Sequence, residues 1–326
     1  MRIVITGADG FLGRKVVDLL LAANGLGEGF ALLSSLVLLD LHMGRSFDDP
    51  RVRVITRSFT DEAMCDMALE GGVDLLFHLA SLPGGAAQAN FELGRSVNLE
   101  GPMALMDAVC DRDGKRNGKP TIVVNASSIA AIGPVDDVVT DDTPLRPLGS
   151  YGCHKLMMEV YLSDLSARGW IDARSVRPSG IVPRPREAFE GFATAWLSEL
   201  FHVMLAGDAL EIPMVADART WLQSVGCVAE NCLVAARLPA AGLPAHRAWT
   251  LPALNPSMQE LVEAIGRHTS AAHVTRISYG EPSPGPYGRS LPDQRLPRTE
   301  ALGFHHDGSL DAFVRAALAV IRARET

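Results

Sequence analysis

The chain has 326 residues, a hydrophobic content of 47% and a formal net charge of −8. Its length suits one large α/β domain with a substrate-binding lobe, or two modest domains. No apolar run reaches the ~20 residues that a membrane span requires. The longest basic stretch lies at residues 112–119 and resembles a solvated loop rather than the basic face that nucleic acid selects, so neither a membrane nor a nucleic acid is an expected partner.

The chain begins with a short apolar run, residues 2–6, followed at once by glycine. This pattern is typical of a first strand and its turn and differs from a signal peptide, so we expect a cytoplasmic protein. Five cysteines without a CxxC pair argue against a disulfide framework and against a zinc site. The nine histidines are scattered, and no metal site is expected.

Short apolar runs alternate with amphipathic stretches through the first half of the chain. The predicted strands are residues 2–6, 36–40, 52–56, 73–80, 121–126 and 173–177. The predicted helices are residues 11–23, 61–70, 90–112, interrupted at Gly101-Pro102, and 151–168. This alternation predicts an α/β fold with a Rossmann-type doubly wound parallel sheet. The strands are rich in Val, Ile and Leu without strict alternation, as expected when both faces are buried.

The pattern changes after residue 178. Proline and glycine cluster at residues 178–185 and 282–288, and helices are predicted at residues 192–205, 257–268 and 310–324. We therefore expect a nucleotide-binding domain over residues 1–178 and a smaller C-terminal α/β substrate lobe over residues 179–326. Residues 221–238 are expected to pack back on the first domain.

A GxxGxxG loop, Gly7 to Gly13, joins the first predicted strand to the first predicted helix. Glycines let the chain turn tightly and bring its backbone against a pyrophosphate, while the helix start offers N–H groups and a positive dipole end. Such a pattern also occurs in simple strand-to-helix turns. Its position after a strand and before a helix favours dinucleotide binding.

Asp40 ends the second predicted strand, where a carboxylate can accept both ribose hydroxyls of an adenosine. The same charge repels the additional phosphate of NADP, so the sequence favours NAD. Leu41 and His42 offer no arginine for that phosphate, although Arg45 is near. The alternative for Asp40 is a helix or turn cap. An insertion at residues 25–35 accounts for its long separation from Gly7.

Tyr151 and Lys155 form a YxxxK motif at the start of a predicted helix. Residues four apart share one helical face, so the phenol and the ammonium point into the same space. The cation favours the ionised phenol, which can then exchange a proton with a substrate hydroxyl near neutral pH. The pair alone is also common on surfaces. Ser127-Ser128, at the end of the preceding strand, strengthens the catalytic interpretation.

Two further segments complete the pattern: His78-Leu79-Ala80-Ser81 at the end of the fourth strand, and Asn98 in a Val-Asn-x-x-Gly sequence. With these motifs in this order, the chain resembles the extended short-chain dehydrogenases/reductases, the NAD-dependent epimerase/dehydratase family, over essentially its whole length. The resemblance implies NAD as cofactor. It also implies a homodimer formed through the helices at residues 98–112 and 151–168.

The resemblance implies a role for each matching residue. The implied catalytic residues are Ser128, Tyr151 and Lys155. The implied cofactor contacts are Gly7, Gly10, Phe11, Leu12, Gly13, Asp40, Ser58, Leu79, Ala80, Asn98, Tyr151, Lys155, Pro178 and Ile181. The implied substrate contacts are Ser81, Ser128, Tyr151, Arg184 and Arg219.

Three positions depart from the family pattern. After the third strand, the family has an aspartate followed by Leu or Ile that contacts adenine, and Ser58-Phe59 takes its place here. Ile132 replaces an aromatic residue before Gly133. No aspartate follows Arg219-Thr220-Trp221. The first change alters the expected contact to adenine.

Within the family, the chain most resembles the D-erythronate dehydrogenase branch, through Arg177-Pro178, Arg219-x-Trp221-x-x-Ser224 and Arg298-x-x-Ala301-Leu302-Gly303. This resemblance implies NAD-dependent oxidation of a small sugar acid, whose carboxylate an arginine fork would hold. A structural corner is the alternative role for Arg219 and Trp221. Two other functions stay open: a nucleotide-diphosphate-sugar 4-epimerase and a non-catalytic NAD-binding regulator.

Overall fold

A computed structural model describes residues 1–113, 119–281 and 289–325. Most of the predicted loop at residues 112–119 and all of the proline-rich stretch at residues 282–288 lie outside the described residues. Within the described ranges the strands are β1 (Arg2–Thr6), β2 (Ser35–Asp40), β3 (Val52–Thr56), β4 (Leu75–His78), β5 (Thr121–Ala126), β6 (Val139–Thr140), β7 (Ile171–Arg177), β8 (Gly180–Ile181), β9 (Leu210–Ile212), β10 (Leu222–Gln223), β11 (Ala248–Thr250), β12 (Ile277–Tyr279) and β13 (Gln294–Arg295).

The α-helices of the same ranges are α1 (Phe11–Ala22), α2 (Glu62–Leu69), α3 (Gly84–Ala89), α4 (Phe91–Arg95), α5 (Gly101–Asp113), α6 (Ser150–Ala167), α7 (Ala195–Ala206), α8 (Val225–Arg237), α9 (Met258–His268), α10 (Ala271–Val274), α11 (Pro297–Ala301) and α12 (Leu310–Glu325). A π-helical turn spans Ser96–Glu100, and 3-10 turns span Ile129–Ala131 and Arg186–Ala188.

Seven strands of the described chain form one parallel sheet, in the order β11-β7-β5-β4-β1-β2-β3. The register places Thr6 opposite both Leu39 and His78, so β1, β2 and β4 end at one level. The chain leaves β1 towards β2 and β3 and later returns to its other side with β4. Ligands of such sheets bind at this switch point, beyond the carboxyl ends of the strands. The predicted fold class is confirmed.

Helices cover both faces of the sheet. Ile3 and Ile5 of β1 belong to a core formed with α1 and α8, whereas Val4 belongs to the core on the other face, formed with α2, α5 and α6. Successive side chains of a strand point to opposite faces, so β1 is apolar at each of these positions. A separate core, in which Leu200, Phe201 and Phe313 are fully buried, joins α7, α9 and α12 into a second lobe.

The predicted interruption at Gly101-Pro102 is displaced in the structure. The irregular segment is the π turn Ser96–Glu100, and Gly101 already begins α5. Arg95, Ser96 and Gly101 all keep α-helical dihedrals, so the chain runs from α4 through the π turn into α5 without a break, and Pro102 removes one backbone donor where the π turn ends. Asn90 ends α3 and caps α4, with its side chain accepting a hydrogen bond from the Leu93 amide.

Candidate active site

The loop between β1 and α1 folds tightly against the end of β4. A Cβ atom on Gly7, whose φ is +71°, would lie 2.6 Å from the Ala80 amide nitrogen, and one on Gly13 would lie 2.0 Å from the Gly7 carbonyl oxygen. Gly10 is the N-cap of α1 and offers no side-chain cap, so the first amides of the helix lack that partner. These features suit the close approach of a pyrophosphate to the backbone.

Asp40 lies at the end of β2, next to this loop. One carboxylate oxygen accepts a hydrogen bond from the Asp9 amide at 2.8 Å, and the other accepts one from the Leu41 amide at 2.7 Å. The adjacent Asp9 carboxylate accepts hydrogen bonds from Arg14 and from the Gly44 amide, both at 2.9 Å. Two acidic side chains therefore stand where the ribose of a bound adenosine is expected.

The segment after β4 is held by Asn98. Its Oδ1 accepts hydrogen bonds from the Leu82 amide at 2.8 Å and the Ser81 hydroxyl at 3.0 Å, and its Nδ2 donates to the Leu82 carbonyl at 3.0 Å. The Leu79 amide donates to the carbonyl of Thr6. Asn98 thus fixes the loop that follows β4. Its contact with NAD, and the contact of Ser81 with substrate, stay predictions.

The catalytic residues predicted from the sequence come from neighbouring elements. The N-terminal part of α6, which carries Tyr151 and Lys155, packs on the 3-10 turn Ile129–Ala131 that follows Ser128. The Lys155 ammonium is buried, lies 5.6 Å from the centroid of the Tyr151 ring and donates to the Ala126 carbonyl at 2.7 Å. The Ser128 Oγ accepts a hydrogen bond from the Ala130 amide at 3.1 Å, which leaves its O–H available to donate.

His78 lies at the end of β4, and the positive charge of Lys155 is close enough to disfavour protonation of its ring. Burial, assisted by that charge, lowers the pKa of His78 to about 3. The ring is therefore neutral at physiological pH, and its Nδ1 is hydrogen-bonded to the Thr6 hydroxyl at 2.8 Å. Its ring also makes an edge contact with Phe59, at 5.2 Å between centroids.

Three other predicted cofactor residues lie at strand ends. Ser58 follows β3 and its hydroxyl bonds to that of Thr60 at 2.7 Å. The Pro178 carbonyl, directly after β7, accepts a hydrogen bond from the Ile129 amide at 3.2 Å. Ile181 ends β8, which pairs with β10. The contacts of these residues with NAD stay predictions.

Arg184 follows β8 and reaches back to the glycine loop. Its guanidinium carbon lies 5.3 Å from the centroid of the Phe11 ring and 4.1 Å from that of the Phe192 ring. Burial lowers the pKa of Arg184 to about 10, and the ionised form of Tyr151 is near enough to oppose that shift. The side chain forms no hydrogen bond or ion pair with any residue of the described ranges. An unpaired cation near the phenol of Tyr151 is a ready site for an anion.

Arg219 has different surroundings. Its Nη1 donates to the Asn255 carbonyl at 2.6 Å and lies 3.5 Å from the Glu260 carboxylate. The neighbouring Trp221 is buried, and its indole N–H donates to the Pro292 carbonyl at 2.7 Å. These bonds are the kind expected of a structural corner, which was the alternative role for Arg219 and Trp221. A substrate contact by Arg219 stays a prediction.

Sequence reasoning overlooked two residues that contact or adjoin the predicted site residues. Phe192 completes the aromatic sandwich around Arg184, but it lies in a loop and carries no motif. Gln223 is fully buried; its side chain accepts hydrogen bonds from the amide and hydroxyl of Ser179 and donates to the Pro252 carbonyl. A glutamine two residues after the tryptophan of the Arg-x-Trp motif was the available signal for the second residue.

Two kinds of feature are absent from the described residues. No helix in these ranges is long and apolar enough to cross a membrane. No group of three or more His, Cys, Asp or Glu side chains in the same part of the chain is arranged to bind a metal ion.

The glycine cradle, the acidic end of β2 and the Tyr151–Lys155 pair define an NAD-dependent oxidoreductase that acts on a CH–OH group. Residues 3–245 match the sequence profile of the NAD dependent epimerase/dehydratase family. The chain belongs to this family, and its cofactor is NAD, as the sequence predicted.

Several relatives cover nearly the full length of the chain. The D-erythronate dehydrogenase of Cupriavidus necator is 32% identical over 321 residues, which are 97% of each chain. That of Haemophilus influenzae is 26% identical over 86% of each chain. A solved structure described as a nucleoside-diphosphate-sugar epimerase from Agrobacterium tumefaciens has a TM-score of 0.85 at 26% identity, covering 98% of this chain and 94% of that one.

Proposed function

We propose that this protein oxidises a secondary hydroxyl of a small, D-erythronate-like sugar acid to the keto acid, with NAD as hydride acceptor. The observation that carries the proposal is Arg184, an unpaired cation stacked between Phe11 and Phe192 and near Tyr151. A guanidinium can hold a carboxylate through two parallel hydrogen bonds. The relatives named D-erythronate dehydrogenase support the same substrate class.

In the proposed reaction Tyr151 acts as the general base. Its ionised phenol takes the proton of the substrate hydroxyl, while the Ser128 hydroxyl donates a hydrogen bond to the same oxygen. Lys155, beside the ring of Tyr151, favours the ionised phenol. NAD, when bound, supplies the acceptor for the hydride that leaves the same carbon. We assign its contacts to the glycine loop, Asp40 and the ends of β3, β4, β7 and β8, as the sequence predicts.

The separation of the charged group from the reacting carbon favours an acid over a nucleotide sugar. A nucleotide-diphosphate sugar carries its charge on the diphosphate, beyond the sugar ring from a reacting C4. In a hydroxy acid the carboxylate is one or two bonds from the reacting carbon, so the cation that binds it must lie near the phenol. Arg184 meets that requirement. The likeness to a structure described as an epimerase keeps 4-epimerisation as the second candidate.

The near-ultraviolet absorbance of NADH tests the proposal directly. Purified protein would be mixed with NAD and a panel of four- to six-carbon sugar acids, including D-erythronate and L-threonate. We expect NADH to form with at least one acid and Tyr151→Phe to abolish it. No NADH with any acid would contradict the proposal, and epimerised nucleotide sugar without net redox change would establish the alternative. NAD binding without either activity would indicate a regulator.

We further propose the domain boundaries given by the sequence: residues 1–178 for NAD and residues 179–326 for substrate, with residues 221–238 returning to the first domain. The shared core of α1 and α8 supports the return. A cytoplasmic location is proposed as well. None of the five cysteines, all of which are described, forms a disulfide, which suits a reducing compartment.

A homodimer through α5 and α6 is also part of the proposal. Met157 and Val160 on α6 are 44% and 57% exposed, and Phe91 and Leu93 on the adjacent α4 are 53% and 46% exposed. Burial of these apolar side chains in a second copy would remove them from water. Sedimentation would reveal the dimer, and Val160→Glu should dissociate it.

A further inference from the structure

The catalytic face of α6 continues one turn beyond Lys155 to a buried carboxylate. Glu159 follows Lys155 by four residues and Tyr151 by eight, so the three side chains share one helical face. The Glu159 side chain is completely buried. Its two oxygens accept hydrogen bonds from Nε and Nη2 of Arg177, at 2.8 and 2.6 Å, and one of them also accepts from the Ser127 hydroxyl.

Each partner of this carboxylate is adjacent to a residue of the active site. Ser127 immediately precedes Ser128, and Arg177 immediately precedes Pro178. The two strand ends are also tied to each other, because the Ser127 amide donates to the Val176 carbonyl at 2.8 Å and the Ile129 amide donates to the Pro178 carbonyl at 3.2 Å. The Glu159–Arg177 pair therefore joins α6, the end of β5 and the end of β7 at one point.

A buried ion pair is an inefficient source of stability, because the cost of desolvating two charges offsets most of their attraction. Its hydrogen-bond geometry, by contrast, is restrictive. A bidentate pair fixes both the distance and the relative orientation of the elements it joins. Arg177 also contacts His246 Nε2 at 3.1 Å, so the pair is in turn braced from the loop before β11.

We propose that Glu159 and Arg177 are positioning residues, whose ion pair sets the placement of Ser128 and Pro178 relative to Tyr151 and Lys155. Neither residue touches the reacting atoms. Their role is to keep the Ser128 hydroxyl and the Pro178 carbonyl at fixed distances from the Tyr151 phenol before ligands bind.

The chain offers a matched control on the same strand. Asp172 of β7 is also buried and pairs with Arg174 and Arg247. Arg174, in turn, donates to the carbonyls of Ala235 and Ala236 on α8, at 3.1 and 2.8 Å. Asp172→Asn thus breaks a buried ion pair of β7 at the end of the strand away from the catalytic residues.

Hydrogen exchange in the ligand-free protein tests the proposal without any substrate. In Glu159→Gln we expect the Ser127 and Ile129 amides to exchange at least about tenfold faster than in the wild type, relative to the amides of β1, which report global opening. In Asp172→Asn the ratio should not change. Equal behaviour of the two variants would overturn the proposal, since it would mean that the pair contributes to global stability alone.

Glu159→Asp provides a second variant if Glu159→Gln does not fold. The shorter acid keeps the charge but cannot reach both partners, so we expect the same local acceleration with a smaller loss of global protection. Retained protection at Ser127 and Ile129 in a folded Glu159→Asp protein would also overturn the proposal.

A kinetic arm rests on the proposed function. There we expect kcat to fall at least about tenfold in Glu159→Gln with KM for the acid changed less than threefold, because Arg184 is untouched. Asp172→Asn should keep kcat. If no acid is oxidised by the wild type, the proposed function fails while the exchange measurement still decides the role of Glu159.

Discussion

Replacing Arg184 should weaken catalysis through the loss of one anion site. Charge-assisted hydrogen bonds contribute about 1.5–3 kcal/mol each, and tenfold in rate corresponds to about 1.4 kcal/mol. Arg184→Met should therefore lower kcat/KM for the acid by at least about 10- to 150-fold, the equivalent of one of the two bonds of the bidentate pair. The loss should be towards the upper end, because the two aromatic rings already restrict the guanidinium and little entropy is lost when the carboxylate binds.

The side chain's geometry predicts a graded series. Arg184→Lys keeps the charge but loses the planar fork and the stacking, so we expect an intermediate loss of about tenfold. Arg186→Met is the matched control, since Arg186 lies in the same loop and pairs with Glu199 at the surface. Its kcat/KM should stay within about twofold of the wild type, as exposed ion pairs contribute little.

Steady-state NADH formation at saturating NAD measures all three variants. Equal losses in Arg184→Met and Arg186→Met would refute the reasoning, because they would reflect a disturbed loop instead of a lost anion contact. A larger loss in Arg219→Met than in Arg184→Met would refute it in another way. That result would indicate that the substrate carboxylate binds to Arg219, which the sequence motif favoured and which contacts Asn255 and Glu260 in the structure.

Two further predictions concern the cofactor loop and the acid stability of the fold. Gly13→Ala should raise the Kd for NAD by about 5- to 150-fold, since overpacking costs about 1–3 kcal/mol and its Cβ would lie 2.0 Å from the Gly7 oxygen. Gly226→Ala, whose Cβ would make ordinary contacts at 3.7 Å or more, should leave calorimetric NAD binding unchanged. The pKa of His78 is about 3 in the folded protein and near 6.5 in the unfolded chain. As the pH falls from 7 to 5, the unfolded state therefore binds a proton that the folded state does not. The wild type should lose about 2 kcal/mol of unfolding free energy from this group over that range. In His78→Gln that part of the pH dependence should vanish in urea titrations, and an equal loss in both proteins would contradict the assignment.

Much of the arrangement at the carboxyl edge of the sheet was predictable from the sequence because of one topological rule. In a parallel sheet all carboxyl ends meet at one edge, so residues that follow separate strands, such as Thr6, Asp40, Ala80 and Ser128, converge although they are far apart in the chain. Local motifs mark each strand end. Recognising the strands was therefore enough to bring these residues together.

The surroundings of Arg184, which the sequence motifs imply as a substrate contact, could not be predicted in the same way. Arg184 was one of several arginines in a loop, and its environment depends on Phe11 from the first lobe and Phe192 from the second. Neither contact follows from periodicity or from a strand end, because a loop's path is set by the tertiary packing around it. Arg219 illustrates the opposite case: its motif pointed to a substrate contact, while its partners are Asn255 and Glu260.

The preference for NAD over NADP involves more than the charge of Asp40. Both of its oxygens already accept backbone hydrogen bonds, from Asp9 and Leu41, so the side chain cannot swing aside without leaving two amides unpaired. The two nearby arginines that could bind an additional phosphate are already paired, Arg14 with Asp9 and Arg45 with Asp18. A 2′-phosphate would meet a fixed carboxylate and would have to compete with two acidic side chains for its cations. We therefore expect selectivity to depend on Asp9 and Asp18, which hold these two arginines, as well as on Asp40, so that removing the charge of Asp40 alone should relax it only in part.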